Sequence, residues 1–286
     1  MEVFETKKAL HQALQNCRAS LPQGRGGEGR SVGFAPTMGA LHPGHISLVE
    51  RSRRENSVTV ASVFVNPTQF NDSSDLANYP RALEDDLRLL EAAGCDFVFA
   101  PSEAEMYPEK DTRQFDFGAL DKVMEGKCRP GHFNGVAQIV SKLFDAVQPD
   151  RAYFGEKDFQ QLAVIRRLVA LTGQPVQIVG CPVVREADGL AMSSRNMRLT
   201  PEQRKSAAVI ARALFACREK IAVTPLCELK KWVAEQIDAA PEMRTEYFEI
   251  VDRDTLQPAE HYQENALQGC IAARAGTIRL IDNLPL

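Results

Sequence analysis

No segment of the sequence is long and apolar enough to cross a membrane. The longest apolar stretch, Val58 to Val65, falls far short of the roughly 20 residues a spanning helix needs. Met1 to Cys17 carries charges every few residues and lacks the apolar core of a secretory signal, so no such signal is expected there. There is no CxxC pair and no Cys/His cluster at zinc spacing. The seven cysteines, at 17, 95, 128, 181, 217, 227 and 270, are odd in number, which favours reduced thiols in a cytoplasmic compartment. Charge of neither sign dominates: 34 Lys plus Arg stand against 38 Asp plus Glu, a formal charge of −4. A nucleic-acid or membrane-surface partner is therefore not expected, and any anionic ligand must be held by a local site. With 44% hydrophobic and 25% charged residues, wholesale disorder and fibrous folds are excluded as well.

The 286 residues suggest about two domains at roughly 150 residues each. From about residue 31 to 181, short apolar runs alternate with helical periodicity. Val32 to Ala35, Val58 to Val65, Asp96 to Ala100, Ala152 to Phe154 and Val176 to Cys181 read as strands. Residues 45–55, 80–93, 135–147 and 158–172 read as helices. Parallel strands require long crossovers and helices supply them, so the expected fold is a Rossmann-like, doubly wound α/β sheet. After Cys181-Pro182 the texture changes to two helices, about 201–220 and 225–239, and strands at Glu246–Asp252, Cys270–Arg274 and Thr277–Asp282. The expected division is 1–182 for the nucleotide-binding domain and 183–286 for a smaller α+β domain.

The Gly-rich stretch 24–30 fits GxGxxG at Gly24, Gly26 and Gly29 and nearly fits a P-loop, with Arg30 where the lysine belongs. Those motifs cradle phosphate only between a strand and a helix, whereas this stretch follows a helical segment and precedes a strand, so it reads as a connection.

Three segments carry chemistry. The first is Pro36-Thr-Met-Gly-Ala-Leu-His42-Pro-Gly-His45, directly after the first strand of the alternating region. Pro43 suits a first helical turn and Gly44 admits a ligand close to the backbone, so His42 and His45 stand together at a helix N-terminus. The positive dipole end there favours an anion and neutral imidazole donors. Taken alone, HxGH equally fits two solvated loop histidines. The second is Gly155-Glu156-Lys157-Asp158, at the carboxyl end of a strand, where open α/β sheets bind ligands. By itself it also fits a charged turn with an aspartate cap. The third, Met192-Ser193-Ser194-Arg195-Asn196, offers hydroxyls and a permanent cation for a polyphosphate, or is simply a solvated loop.

Together and in this order, HxGH and the Ser/Arg loop resemble the paired signatures of the class I aminoacyl-tRNA synthetase and nucleotidylyltransferase superfamily. The further segments Phe64-Val-Asn-Pro-Thr-Gln-Phe70, Tyr79-Pro-Arg81, Arg129-Pro-Gly-His-Phe133, Gly155 to Gln161 and Met192 to Asn196 narrow the resemblance to the pantoate–β-alanine ligase family, from about residue 31 to 196 and more weakly to Asp282-Asn283. The resemblance implies a homodimeric, ATP-dependent ligase. In it pantoate attacks the α-phosphate of ATP to give pantoyl adenylate and pyrophosphate, and β-alanine then displaces AMP. It implies ATP contacts for Met38, Gly39, Ala40, Leu41, His42, Pro43, Gly44 and His45, with His45 as proton donor and His42 assisting at the phosphates. Gly155, Glu156, Lys157 and Asp158 take the ribose and phosphates, Val184 the adenine edge, and Met192, Ser193, Ser194 and Arg195 close on the phosphates. Lys157 and Arg195 join the two histidines as the catalytic set. Gln69 and Gln161 bind pantoate, Gln69 also lying near β-alanine.

Mg²⁺ is expected with ATP, held mainly by phosphate oxygens and water, because magnesium rarely uses an all-protein cage. No protein metal ligand is therefore assigned. Asp85 and Asp86 fit a solvated helix surface as well as a face of the site. His132, in Arg129-Pro-Gly-His-Phe133, is a second-tier site candidate for which a structural loop is the favoured reading. Pro43 stands where the family often has an acidic residue, and the 24–30 stretch is longer than the family usually needs. A nucleotidylyltransferase that keeps the nucleotide in its product is the nearest rival, and Gln69 and Gln161 discriminate against it by pointing to a small hydroxy acid. A non-catalytic nucleotide-binding module is disfavoured by intact His45, Lys157 and Arg195. A tRNA synthetase is disfavoured by the lack of an anticodon-binding extension and a basic face.

Overall fold

A computed structural model describes residues 1–20, 31–71 and 73–286. The Gly-rich stretch 24–30 lies outside the described residues. The chain divides into two compact units. The first comprises Met1–Phe117, Pro130–Gly155 and Val164–Cys181; the second comprises Gly118–Arg129, Glu156–Ala163 and Pro182–Leu286. The division is thus not a single cut after residue 182, since two short segments from the earlier part of the chain group with the C-terminal unit.

The first unit is built on six parallel strands: β1 (Glu2–Phe4), β2 (Val32–Thr37), β3 (Val58–Val63), β4 (Phe97–Phe99), β5 (Arg151–Gly155) and β6 (Gln177–Cys181), in the order β1-β4-β3-β2-β5-β6. Its helices include α1 (Lys7–Ser20), α2 (Pro43–Glu55), α3 (Leu83–Ala92) and α4 (His132–Val147). α2 packs on β2, β3 and β5, and also meets α3; α4 packs on β2 and meets α1. Side chains alternate along a strand, so β2 serves both faces. Ala35 joins Leu48, Val49, Ala61, Leu90 and Val98 on one face, while Phe34 meets Phe144 of α4 edge-on at 6.4 Å on the other. Strand β1 at the sheet edge has no counterpart in the sequence reading: three residues are too few to establish a period. α5 (Phe159–Thr172) begins in the second unit and runs on into the first.

The connectivity fixes where a ligand can enter. The chain runs outward from β2 to β3 and β4, then returns to the other side of β2 for β5 and β6. The order therefore reverses between β2 and β5, and beyond the carboxyl ends of strands at such a point an α/β sheet leaves a crevice. The HxGH loop leaves β2, and the Glu156–Asp158 turn leaves β5.

The second unit is an antiparallel sheet of β7 (Met243–Asp252), β8 (Leu267–Ala275) and β9 (Ile278–Pro285), with α6 (Pro201–Ala207), α7 (Val209–Lys220) and α8 (Leu226–Asp238). A single helix expected over 201–220 is divided at Ala208. Leu214, Leu229, Val233, Ile237, Ile271, Ala273 and Leu280 fill the core on one face. The opposite face buries Cys270 and Val251 against Met124, Leu120, Val123, Phe159 and Ala163. That packing is why segments 118–129 and 156–163 belong with this unit: without them the inward side of β8, buried along nearly its whole length, would be half bare.

Two polar anchors reinforce this. Gln160 Nε2 donates to the carbonyls of Leu120 and Val123 at 2.6 and 2.9 Å, while its Oε1 accepts from the amide of Glu125. The buried Glu125 carboxylate accepts from both terminal nitrogens of Arg279, at 2.8 and 2.6 Å, and from the Tyr247 hydroxyl. Arg279, together with Tyr247 and Arg129, holds Glu125 below the usual carboxylate range, overcoming the burial that opposes ionisation. None of the seven cysteines is in a disulfide, and no described helix is long and apolar enough to cross a membrane.

Candidate active site

The HxGH loop is shaped by backbone before any side chain acts. Thr37, last residue of β2, donates its hydroxyl to the Ser62 carbonyl at 2.6 Å and accepts from the Gly39 amide at 3.2 Å. Gly39 and Ala40 then adopt positive φ, +79° and +50°. A Cβ on Gly39 would lie 2.8 Å from Asp86 Oδ2, so glycine is required both by conformation and by close approach. Ala40 is the costlier residue in that region, and its conformation is held by Asp86. This carboxylate accepts from the amides of Ala40 at 2.9 Å and Leu41 at 2.7 Å.

Asp86 is therefore not part of a solvated helix surface. It lies 2% exposed in the first turn of α3, and burial pushes its pKa up against the pull of the two amides. Asp85 beside it is exposed and pairs with Arg88.

α2 opens at Pro43 with His42 as its N-cap. His42 Nδ1 accepts from the Gly44 amide at 3.2 Å, which places the proton of a neutral ring on Nε2 and leaves that nitrogen as the donor. The rings of His42 and His45 lie 4.0 Å apart at 34°. Two neighbouring imidazoles thus stand at the positive end of a thirteen-residue helix, the environment suited to phosphate oxygens.

The same unit gathers Met38, Gln69 and His132. Gln69 Nε2 is 3.0 Å from Met38 Sδ, and its Oε1 accepts from Asn66 Nδ2 at 3.1 Å. Its carbonyl lies 2.8 Å from His132 Nδ1. Asn66 is locked in turn by donating to the Gly135 carbonyl and by accepting from the Tyr107 hydroxyl at 2.7 Å. His132 is the first residue of α4 and buried, which corrects the expectation of a structural loop. Sequence reasoning quoted Asn66 only inside its motif and missed Tyr107, which sits in no recognisable pattern.

Gly155 ends β5, and a Cβ added to it would meet nothing within 4 Å, so space is open beside it. The second unit carries the remaining candidates. Lys157 lies in the short turn Glu156–Asp158 with its ammonium 3.9 Å from Asp158. Its side chain is 19% exposed. Gln161 is half-buried on the first turn of α5, whereas its neighbour Gln160 is buried and engaged structurally. Val184 accepts from the Met192 amide at 3.0 Å. Ser193 caps the Ser194–Arg198 turn by accepting from the Arg195 amide. Arg129 was quoted only as part of a motif. Burial, together with Arg195 and Arg279 nearby, pulls its guanidinium below its ordinary range against Glu125 and Asp158. Arg129 and Arg195 therefore belong to one electropositive neighbourhood of this unit.

The donors at these segments are imidazoles, amides, hydroxyls and cations, a set that fits phosphate rather than a hard metal ion. Among the described residues no group of three or more His, Cys, Asp or Glu could hold a metal ion, and both oxygens of Asp86 are committed to amides.

Fold and loop positions together define an α/β enzyme of the Rossmann-like class with an appended α+β unit. Comparison with known proteins narrows this. The sequence matches the family model described as pantoate-beta-alanine ligase over residues 2–285. The pantothenate synthetase of Bacteroides thetaiotaomicron is 57% identical over 285 residues, covering 99% of this chain and 98% of that protein. The Porphyromonas gingivalis pantothenate synthetase is 54% identical over 286 residues, covering 99% of each. A crystal structure of the Thermus thermophilus pantothenate synthetase superposes with a TM-score of 0.89 at 50% identity, covering 100% of this chain and 99% of that one. The pantoate-beta-alanine ligase of Francisella tularensis, crystallised with beta-gamma ATP and beta-alanine, gives 0.81 at 34% identity, covering 100% and 97%. The chain belongs to the pantoate–β-alanine ligase family.

Proposed function

We propose that the enzyme condenses pantoate with β-alanine at the expense of ATP, through a pantoyl adenylate, releasing pyrophosphate and then AMP. The observation that carries this reading is the pair of adjacent imidazoles at the N-terminus of α2, on the loop leaving β2 where the strand order reverses. The nucleotide and amine found in the Francisella relative support it.

In the first step a pantoate carboxylate oxygen forms a bond to the α-phosphorus, and the bond from that phosphorus to the oxygen bridging to the β-phosphate breaks. The electron pair leaves with pyrophosphate. No side-chain nucleophile is needed; the protein positions the reactants and stabilises the negative charge that shifts onto the departing group. His42 and His45 donate to phosphate oxygens, with His45 as the proton donor. Lys157, Ser193, Ser194 and Arg195 supply cations and hydroxyls, and Arg129 adds to the field about Arg195. In the second step the β-alanine nitrogen attacks the acyl carbon, loses a proton, and the acyl–oxygen bond to AMP breaks.

Gln69 and Gln161 hold the pantoate hydroxyls and carboxylate, while Met38 contributes an apolar wall for the geminal methyls. The network Tyr107–Asn66–Gln69 keeps the Gln69 amide aimed before substrate arrives. Gly155 leaves room for the ribose, and Val184 borders the adenine. Magnesium accompanying ATP would be held by phosphate oxygens and water rather than by protein side chains, and would supply neutralisation of phosphate charge.

Adenylate formation predicts pantoate-dependent exchange of labelled pyrophosphate into ATP without β-alanine. Lys157→Ala should slow that exchange on the order of 10²-fold or more. Native enzyme that exchanges nothing without β-alanine would remove the adenylate from the scheme.

A further inference from the structure

The two phosphate-facing segments of the second unit, the Lys157 turn and the Ser193–Arg195 turn, are separated in sequence but share one buried mount at β9. Asn283, 3% exposed, donates both hydrogens of its side-chain amide: Nδ2 lies 2.8 Å from the carbonyl of Glu156 and 2.8 Å from that of Lys157. Its Oδ1 accepts from Gln268 Nε2 at 2.6 Å, which fixes which end of the amide faces the turn. Asp282, its neighbour, accepts from both terminal nitrogens of Arg185 at 2.6 and 3.0 Å and also accepts from the backbone N–H of Asn283 at 2.7 Å. Arg185 donates further to the carbonyls of Asn283 and Gly189.

Arg185 and Ala191 bridge the short hairpin that ends in the Ser193 turn, and Asn196 donates back to the Ala191 carbonyl at 3.1 Å. β9 packs directly against both turns. A single chain of hydrogen bonds therefore runs from the Lys157 peptide, through Asn283 and Asp282, to Arg185 and the strand leading into Ser193.

We propose that Asn283 is a positioning residue: it fixes the peptide planes at 156 and 157, and so the origin of the Lys157 side chain, relative to the Ser193–Arg195 turn. The proposal rests on the reading of Lys157 as a phosphate ligand. Asparagine is the residue that can do this, because the site needs two donors toward carbonyls and one acceptor toward Gln268, all on one short side chain. Aspartate would set an oxygen against two carbonyl oxygens.

The test measures ATP affinity by calorimetry and pantoate-dependent pyrophosphate exchange in Asn283→Ala, Lys157→Ala, the double variant and Leu280→Ala, a cavity variant on the same strand. Asn283→Ala should weaken ATP binding and kcat/KM for ATP by about tenfold or more, while Leu280→Ala leaves both within about twofold. Combined with Lys157→Ala it should add less than about twofold, because both changes remove the same interaction. Folded Asn283→Ala that binds ATP as the native enzyme does, or losses that multiply in the double variant, would overturn the proposal. If Lys157→Ala itself binds and exchanges normally, it is the phosphate reading of Lys157 that fails, and the proposal falls with it. Should Asn283→Ala not fold, Gln268→Met keeps Asn283 but releases its amide to rotate. A loss of about threefold or more in ATP affinity is then expected, and no loss overturns the proposal.

Discussion

Asp86→Asn tests whether the HxGH loop is held from outside itself. The carboxylate accepts from two amides, at 2.9 and 2.7 Å, in a site 2% exposed. Asparagine keeps one acceptor and turns an NH₂ toward the other amide. One charge-assisted hydrogen bond is lost, about 1.5–3 kcal/mol, and one buried amide is stranded at about 1–3 kcal/mol. Ala40, at φ +50°, keeps its left-handed cost of about 1–2 kcal/mol but loses the contact that offsets it. Against these stands the relief of a buried charge whose desolvation already raises the Asp86 pKa. The net is about 2–3 kcal/mol, which for a protein of this size lowers Tm by roughly 3–5 °C.

The consequence for activity is sharper. His42 follows Leu41 directly, so a loop released at residues 40 and 41 shifts the N-cap of α2, and displacement of about 1 Å at a reacting group costs on the order of 10²-fold. Thermal unfolding and pyrophosphate exchange on the same preparation read both quantities. Asp85→Asn, at an exposed carboxylate paired with exposed Arg88, is the control and should change neither. Asp86→Asn with an unshifted Tm and a kcat/KM for ATP within about twofold of native would refute the reasoning.

Glu125→Gln should destabilise the C-terminal unit by about 3 kcal/mol in urea unfolding, since it breaks a buried ion pair and, among the described residues, leaves Glu246 as the carboxylate paired with Arg279; a loss below about 1 kcal/mol would show the pair to be dispensable. Asp111 gives a pH test. Its hydrogen bonds to Arg113, with Lys142 3.4 Å away, hold its pKa down at about 2 against 3.8. A lowered folded-state pKa stabilises above the unfolded value and is lost as pH falls through the folded one. Between pH of about 4 and 2 the native protein should lose on the order of 1 kcal/mol after solvent screening, a loss absent from Asp111→Asn. Acid titration followed by circular dichroism compares the two, and parallel acid limbs would contradict the assignment.

Much of this enzyme is written locally. Strand-helix alternation, with runs such as Val58–Val63 too short for anything but strands, determined the parallel sheet, because a period read over six to fifteen residues needs no distant partner. Pro43 and Gly44 between two histidines likewise declared a helix start, since proline suits a first helical turn whatever surrounds it. What the sequence could not determine depends on atoms brought together from far along the chain. Asp86 looked like any acidic residue in a first helical turn until folding placed the Ala40 and Leu41 amides against it, 46 and 45 positions away. Tyr107 reaches Asn66, Arg279 reaches Glu125, and Asn283 reaches the Lys157 turn across separations of 41, 154 and 126 residues. Segments 118–129 and 156–163 were assigned by the face of β8 they cover and not by their place in the chain. The residues proposed to meet phosphate stand out in the sequence because phosphate recognition favours particular groups at helix and strand ends. Their supports do not, because a buried hydrogen bond is satisfied by whichever partner the fold delivers.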